Sequence, residues 1–439
     1  ITPAQWRESC SPVVPLARFD RYTWTVDETY VADLELAHYG EHDLKAATAE
    51  WTLADAAGAI RARGALPAQD LAQGGLRTVG RIAVPLAKLP APARYTLAIS
   101  VRSGAEAFTN HYPLWVYPSK VDTTVPAGVA LVRRYDAATA ALLAEGKRVV
   151  LVPDSKNWAD TVGGAYATDF WNWPMFNGTP GTMGLLCQPE HPALAGFPTA
   201  FHSERQWSAL AHASTPVILT DAPRALRPIV QTIDNYERND RLGLVFEAKV
   251  GPGSLLVCAV DVLALQDKPE VRQLLASLLA YAGSAKFAPT VALTPAECAR
   301  FLRPSLVQKQ PVQATSFFQP PWGATPEPAR AIDGDICTKW VAADDDKAPA
   351  LTIDLGDRRQ LDAVQVLWER DEAGYRYTVE VSNDGAAWTL VSDQRTNAFA
   401  DGRHYVTFAP VPARHLRVTL TGWPTGGRAC IRELRALGQ

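Results

Sequence analysis

An alternation of apolar and polar residues dominates residues 313–439 and constrains the fold of that segment more than any other feature. The alternating runs are LTIDLG, AVQVLWER, YTVEVSNDG, WTLVSD, HYVTFAP and HLRVTL, and turns separate them. A period of two places successive side chains on opposite faces of a strand, and the segment has no run of helical length. The sequence therefore predicts an all-β sandwich here.

Length, charge and cysteine spacing limit the number of domains and the kinds of partner that the chain can have. Its 439 residues suit about three domains. The net charge of −3 predicts no nucleic-acid partner, and the lack of a long apolar stretch predicts no membrane span. The chain begins with Ile1, which predicts a processed product or an excised fragment. Among six cysteines without a CxxC motif, Cys337 and Cys430 are the one pair that we consider for a disulfide.

The first segment, residues 1–120, predicts an immunoglobulin-like β-sandwich. Strand-like runs cover 30–39, 49–53, 78–85, 95–101 and 112–117, with turn signals between them. In ADLELAHY, Leu34 and Leu36 share one face. Short strands at this spacing are typical of such sandwiches.

The second segment, residues 121–284, predicts an α/β domain with a mostly parallel sheet, of the flavodoxin or amidotransferase type. A helix pattern at 137–146 ends in glycine and leads into an apolar strand, and 270–281 predicts a closing helix. The runs LGLVFEAKV and SLLVCAVDV, joined by GPG, predict a hairpin. Residues 285–312 predict a linker with one short helix.

The turn AIDGDICTKW, at 331–340, anchors a family resemblance. It precedes LTIDLG, YTVEVSNDGAAW, HLRVTL and a closing IRELRALG. This order resembles the discoidin family, also called the coagulation factor 5/8 type C domain or carbohydrate-binding module family 32. The resemblance covers residues 313–439 and implies a discoidin-like β-sandwich that binds carbohydrate.

The same resemblance implies a structural calcium ion. Its ligands would be Asp333, Asp335, Thr338 and Glu433, some of them through main-chain oxygens. Asp333 lies on a tight turn, and Glu433 lies on the last strand, which in this family returns beside the first. Hard oxygen donors suit Ca²⁺. The alternative is a turn that side-chain hydrogen bonds hold without a metal.

Discoidin-like domains bind ligands with the loops at one end of the sandwich. A sugar site needs an aromatic platform and polar groups for the hydroxyls. Trp322, Arg370, Trp423 and Arg428 fit these needs in the sequence, the last two in GWPTGGR. The same loops also carry Phe317, Phe318, Asp344, Asp345, Asp346 and Glu369. Ordinary surface packing is the alternative for each of them.

Two earlier stretches resemble accessory domains of glycoside hydrolase family 2 proteins. One comprises SPVVPLARFDRYTWTVDETYVADLELAHYG and PLWVYP, and the other FWNWPMFNGTPGTMGLLCQPEHPALAGFPT and PIVQTIDNYERNDRLGLVFEAKVGPGSLLVCAVDV. Those enzymes hydrolyse β-glycosides with retention, using two Glu residues on a barrel of about 250 residues. The chain has no room for that barrel and no Asn-Glu acid/base motif, so we expect no catalytic residue in it.

We therefore interpret the chain as the non-catalytic, carbohydrate-binding accessory portion of a secreted or periplasmic family 2-like enzyme. Its partner would be an upstream catalytic barrel of the same parent protein. One alternative is a hydrolase or amidotransferase in the α/β domain, with Cys187 as nucleophile and His191 nearby. The G-x-C-x-G elbow is absent there, because Pro189 replaces its second glycine. The other alternative is a protein-interaction or oligomerisation module.

Two polar-aromatic stretches have weaker interpretations. In FWNWPMFN, Trp171, Trp173 and Asn177 are predicted to form part of a pocket or a domain interface. The alternating charges of DNYERNDR, at 234–241, predict a solvated loop. Neither stretch carries a recognisable catalytic motif.

Overall fold

The computed structural model describes residues 2–154, 161–166, 181–236, 238–321 and 325–438. Its contacts divide the chain into two compact units. The first comprises Ile1–Val129, Leu186–Ala211 and Val262–Phe287, and the second Ala130–Leu185, His212–Asp261 and Ala288–Gln439. The middle of the sequence therefore contributes to both units.

Two mainly antiparallel sheets form most of the first unit. Its strands are β1 (Val13–Arg18), β2 (Thr23–Thr25), β3 (Thr29–His38), β4 (Leu44–Asp55), β5 (Ile60–Leu71), β6 (Gly75–Pro85), β7 (Ala93–Ser103) and β8 (Glu106–Tyr117). One sheet has the order β1-β3-β6 and the other β2-β8-β7-β4-β5. Tyr30, Leu34 and Leu36 of β3 alternate into a common core, which confirms the predicted period of two. All five predicted strands are present.

Helical segments complete the first unit. They are α1 (Pro3–Arg7), a 3₁₀ turn at Pro192–Leu194, another at Arg205–Trp207, and α4 (Pro269–Gly283). Helix α4 buries Val271, Leu274 and Leu278 on one face. Ser277 on this helix donates a hydrogen bond to the Ala193 carbonyl at 2.7 Å, which fixes the 3₁₀ turn against the helix. The helix predicted at 270–281 is present, but it belongs to the first unit and not to the α/β segment that it was predicted to close.

The second unit begins with a mixed sheet. Its elements are β9 (Val129–Val132), β10 (Arg148–Leu151), β11 (Gly184–Cys187), β12 (Val217–Ile218), β13 (Val230–Ile233), β14 (Leu242–Val250), β15 (Gly253–Cys258) and β16 (Ala292–Leu293), with helices α2 (Ala137–Ala144) and α5 (Pro295–Leu302). The residues of β9, β11 and the short helix α3 (Ser208–His212) are divided between the two units. The central order is β13-β14-β15-β10-β9. Helix α2 lies directly on β15, since a Cβ on Gly253 would stand 2.5 Å from the Leu143 carbonyl oxygen.

The strand directions in this sheet differ from the predicted, mostly parallel arrangement. β10 pairs with β15 and β14 with β16 in parallel, whereas β14 pairs with β15, β13 and β12 antiparallel. The physical reason is the hairpin between β14 and β15, which the GPG turn predicts and the structure confirms. A hairpin reverses the chain where a parallel sheet needs a crossover.

The second unit ends in a β-sandwich. Its strands are β17 (Val312–Ala314), β18 (Trp340–Val341), β19 (Ala350–Leu367), β20 (Arg376–Ser382), β21 (Thr389–Asp393), β22 (Arg403–Gly422), β23 (Cys430–Ile431) and β24 (Glu433–Gly438). The main sheet has the order β17-β19-β22-β20-β21, with β24 beside β19, and β18 pairs with β23. Trp340, Tyr375 and Tyr377 are almost fully buried in its core. The predicted all-β sandwich is confirmed.

The prediction of a solvated loop at 234–241 is wrong for Asp234, Arg238 and Asp240, whose side chains are buried. Asp234 and Asp240 are 7% and 6% exposed. Arg238 pairs with Asp234 at 2.6 Å, with their side chains 4% and 2% exposed. Arg403 of β22 pairs with Asp240 at 2.7 Å. Ion pairs and backbone hydrogen bonds satisfy these charges internally, and such satisfaction makes burial of charge tolerable.

No helix in the described ranges is both long enough and apolar enough to cross a membrane.

Removal of the Arg238–Asp234 ion pair tests whether the charges at 234–241 are buried and structural. In R238A the Asp234 carboxylate stays buried without its cation, so we expect the free energy of unfolding to fall by about 3 kcal/mol. Urea unfolding of the full chain, with hydrogen exchange of residues 234–241, measures the effect. D234N in the R238A background removes the uncompensated charge and should restore part of the loss.

The matched control is R224A, because Arg224 is exposed on the same unit. We expect it to change the free energy of unfolding by less than about 0.5 kcal/mol. Equal effects of R238A and R224A would contradict a structural role for the buried pair.

Candidate functional site

Four loops of the C-terminal sandwich meet at one end. They follow β17, β18, β19 and β22 in the chain. We call the group of side chains that they bring together the loop-end surface, and it comprises Phe318, Asp344, Arg370, Trp423 and Arg428. Its shape depends on long-range pairing, because residues more than 80 positions apart in sequence contact each other there.

A bidentate ion pair forms the centre of the loop-end surface. Arg428 approaches Asp344 through Nε to Oδ1 at 3.0 Å and through Nη2 to Oδ2 at 3.1 Å. The Arg428 guanidinium also lies over the Phe318 ring, 4.0 Å from its centroid. One hydrogen bond, the second ion-pair contact and the cation–π contact orient the guanidinium while both charged groups stay exposed.

Arg370 joins two of the loops. Its Nη2 donates to the Gly426 carbonyl at 2.9 Å, and its Nη1 lies 3.1 Å from Glu372 Oε1. The Arg370 backbone N–H donates to the Tyr375 hydroxyl at 3.0 Å. Arg370 therefore orders the loop that carries Arg428 as well as presenting a cation to solvent.

The aromatic residues differ in how much surface they offer. Trp423 is half-buried and packs against the sandwich core. Phe317 is 36% exposed, whereas the Arg428 guanidinium covers one face of Phe318. Trp322 lies outside the described residues. Trp423 and Phe317 thus retain exposed ring surface.

Two loop acidic residues have structural partners. Glu369 pairs with Lys339 and accepts a weak hydrogen bond from the Cys430 thiol at 3.5 Å. Asp346 accepts hydrogen bonds from the Thr315 and Ser316 hydroxyls at 2.5 and 2.6 Å. These contacts tie the loops to the scaffold, whereas Asp344 and its neighbour Asp345 are exposed, and of these two Asp344 pairs with Arg428.

The turn predicted to hold calcium is closed by its own side chains. Asp333 Oδ1 accepts the Asp335 backbone N–H at 2.8 Å, and the Thr338 hydroxyl donates to Asp333 Oδ2 at 2.8 Å. Asp335 Oδ1 accepts the Cys337 backbone N–H at 2.9 Å. Gly334 has φ +84°, a conformation that glycine adopts without strain. Burial raises the pKa of Asp333 because it disfavours the charged carboxylate.

Glu433, the fourth predicted ligand, opens β24 opposite Leu367 of β19 and is 3% exposed. Within the described ranges, no three His, Cys, Asp or Glu side chains form a metal-binding group. The carboxylate of Asp333 and the neighbouring main-chain oxygens still match the hard donors that Ca²⁺ prefers. The donor atoms of these residues are of the type that Ca²⁺ binds, and the calcium site stays a prediction.

The disulfide that we considered between Cys337 and Cys430 does not form. All six cysteines of the chain are free thiols. Cys337 Sγ lies 3.9 Å from Arg238 Nη1, and Cys430 donates its weak hydrogen bond to Glu369. Each sulfur faces a charged partner of its own.

Cys187 has the properties of a structural thiol. It is 7% exposed, and burial raises the pKa of its thiol to about 12. A nucleophilic cysteine needs the opposite shift. His191 caps a 3₁₀ turn by accepting the Ala193 N–H at 3.2 Å, which is also a structural role. The other predicted pocket residues, Trp171, Trp173 and Asn177, lie outside the described residues.

Residues 311–434 match the family model described as the F5/8 type C domain. The C-terminal domain is of this discoidin-like type. Two further models match residues 28–118 and 130–303, and they are described as domains of unknown function, DUF8488 and DUF8487. A comparison with curated proteins finds no match.

Several solved structures are similar to part of the chain. One is a chitosan-binding module 1 from a chitosanase/glucanase of Paenibacillus sp. IK-5, with 28% identity and a TM-score of 0.27, covering 30% of this chain and 98% of the module. Another is the Clostridium perfringens module CpGH89CBM32-5 in complex with GalNAc-β-1,3-galactose, with 22% identity, a TM-score of 0.28 and coverage of 30% and 99%. A family 89 glycoside hydrolase from Clostridium perfringens shares 23% identity, with a TM-score of 0.27 and coverage of 31% and 14%.

Proposed function

We propose that the C-terminal domain binds carbohydrate at the loop-end surface. The observation that carries the proposal is the exposed Arg428–Asp344 pair, held over Phe318 at the end of a domain that matches the F5/8 type C model. Neighbouring sugar hydroxyls need a donor and an acceptor side by side, and this pair supplies both. Its fixed geometry reduces the conformational entropy that a ligand must overcome.

The surface also supplies an apolar contact for the sugar ring. Trp423, five positions before Arg428, and Phe317, the chain neighbour of Phe318, retain exposed area. An aromatic face packs on the C–H groups of a pyranose while the charged groups bind its hydroxyls. A shallow site of this kind, open to solvent, predicts weak binding of a single sugar.

Removal of the central guanidinium tests the proposal. R428A deletes hydrogen-bond donors from the surface, so we expect at least about a tenfold loss of affinity for a glycan found on an array. Titration calorimetry of the full chain with that glycan measures the loss. W423A should weaken the same binding by removing the ring contact.

R414A is the matched control. Arg414 is 48% exposed and pairs with Asp354, whereas Arg428 is 45% exposed and pairs with Asp344. We expect R414A to bind the glycan like the unchanged chain. An array without any binding, or equal losses in R414A and R428A, would refute the loop-end surface as the sugar site.

We also propose that the turn at 333–338 binds a structural Ca²⁺, with Asp333, Asp335, Thr338 and Glu433 as the residues that would hold it. Its support is the donor chemistry and the half-buried Asp333 carboxylate, whose desolvation a cation would offset. The bound ion would brace the turn against the end of β24. It has no part in sugar chemistry in this proposal.

Calcium should stabilise the chain through Asp333. After treatment with a chelator, addition of about 1 mM Ca²⁺ should raise the thermal midpoint by several degrees, since an ion that binds only the folded state stabilises it. D333N should abolish the rise. D384N is the matched control, because Asp384 also precedes a glycine with positive φ and accepts backbone N–H groups in a turn. The same rise in D333N, or none in the unchanged chain, would contradict the site.

The chain's wider role belongs to the same proposal. We place it as the non-catalytic accessory portion of a family 2-like glycoside hydrolase, with an immunoglobulin-like domain at 1–120 and an α/β domain at 121–284. The support is the sequence resemblance of the two stretches and the structural character of Cys187. Because polymeric glycans occur outside the cell, we propose a secreted or periplasmic location. Detection of the native protein in the cytosol alone would count against that location.

The chain by itself should hydrolyse no glycoside. We expect no release of nitrophenol from β-galactosides, β-glucuronides or simple esters above the rate of a buffer blank, because no activated nucleophile has been found among the described residues. The assay uses the full chain and C187A. Turnover that C187A abolishes would establish the α/β-domain enzyme instead.

A further inference from the structure

A second concave site lies in the second unit, away from the loop-end surface. It is a cavity of about 560 Å³ beside the start of α2, between α5 and the C-terminal sandwich. Small-molecule sites in proteins commonly have volumes of about 300–1,000 Å³. The cavity is therefore large enough for a ligand of that class.

Non-polar groups make up most of its wall. The apolar lining residues are Ala137, Ala138, Ala140, Pro295, Ala299, Pro304 and Leu306. Alanine and proline side chains are short and stiff, so this wall is shallow and loses little entropy when a ligand covers it. Such a wall favours a ligand with exposed C–H surface.

Three arginines and one aspartate are the charged lining residues. They are Arg134, Arg303, Arg359 and Asp136. Asp136 is engaged in the fold, since its Oδ1 accepts the Thr139 N–H at 2.9 Å and caps α2. The cavity thus has an excess of positive charge.

The arginines differ in how far other carboxylates neutralise them. Arg303 is paired with Asp362 at 2.7 Å, and its side chain is 13% exposed. Arg359 meets Asp357 only at 3.4 Å, with the two side chains 48% and 82% exposed. Arg134 forms no ion pair with any residue in the described ranges. Arg134 and Arg359 therefore supply cations that a ligand can neutralise.

We propose that this cavity binds a small organic carboxylate whose body presents non-polar C–H surface. The carboxylate meets Arg134 and Arg359, and the body packs on the alanine and proline wall. A charge-assisted hydrogen bond from a guanidinium to a carboxylate is stronger than one between neutral groups. Both an acidic monosaccharide and an aromatic acid have this chemistry. The site is independent of sugar binding at the loop-end surface.

The test titrates the full chain with sodium D-glucuronate and, separately, with sodium benzoate, up to about 10 mM of each. Glucose and benzyl alcohol are the uncharged counterparts. We expect at least one of the two carboxylates to bind, and its uncharged counterpart to bind at least about tenfold more weakly. R134Q and R359Q should each weaken binding of the carboxylate by about tenfold.

R358Q is the matched control, because Arg358 is the exposed neighbour of Arg359 on β19 and does not line the cavity. R428A separates this site from the loop-end surface and should leave carboxylate binding unchanged. Binding of glucuronate identifies an acidic sugar as the class of ligand for the cavity, and binding of benzoate alone identifies an aromatic acid. No binding of either, or equal losses in R358Q and R359Q, would overturn the proposal.

Discussion

The pairing of β19 with β22 is the constraint on which the C-terminal domain depends. The two strands are 18 and 20 residues long and pair from Ala350 with Thr419 to Leu367 with Arg403. The register shifts between Asp354 and Arg359. At this shift Arg414 donates two hydrogen bonds of 2.9 Å to the Asp354 carboxylate. This pairing delivers the loop before β19 and the loop after β22 to the same end of the sandwich.

The loop-end surface follows from that pairing. Asp344 precedes β19 and Arg428 follows β22, so the strand register decides that the two side chains meet. β24 pairs with the last part of β19 and places Glu433 opposite Leu367. One pair of strands thus positions both the proposed sugar site and a proposed calcium ligand.

The alternation of apolar and polar residues predicted most strands, and the prediction failed for strands in which that alternation is absent or interrupted. β5 was missed because it contains Gly64 and Pro67 and pairs only with β4, with most of its residues exposed or half-exposed. β19 and β22 were each predicted as two strands, because the alternation is interrupted where the register shifts. The sequence carries no sign that such an interruption bends a strand without ending it.

The site was predictable in its residue types and not in its partners. GWPTGGR identified Trp423 and Arg428, but nothing local connects Arg428 with Asp344, 84 positions away. The stretch at 234–241 failed for a related reason, because alternating charges look the same whether water or buried partners satisfy them. Arg238 pairs locally with Asp234, and the pair is buried, whereas Asp240 pairs with Arg403 of the distant strand β22.

A crystal structure of the chain with bound sugar would test most directly the claim that the loop-end surface binds carbohydrate. Crystals of the full chain would be soaked with a disaccharide selected from a glycan array. We predict density for the sugar against Arg428 and Asp344, with a pyranose ring on Trp423 or Phe317. Ordered sugar at another surface, with the loop-end surface accessible and empty, would contradict the account.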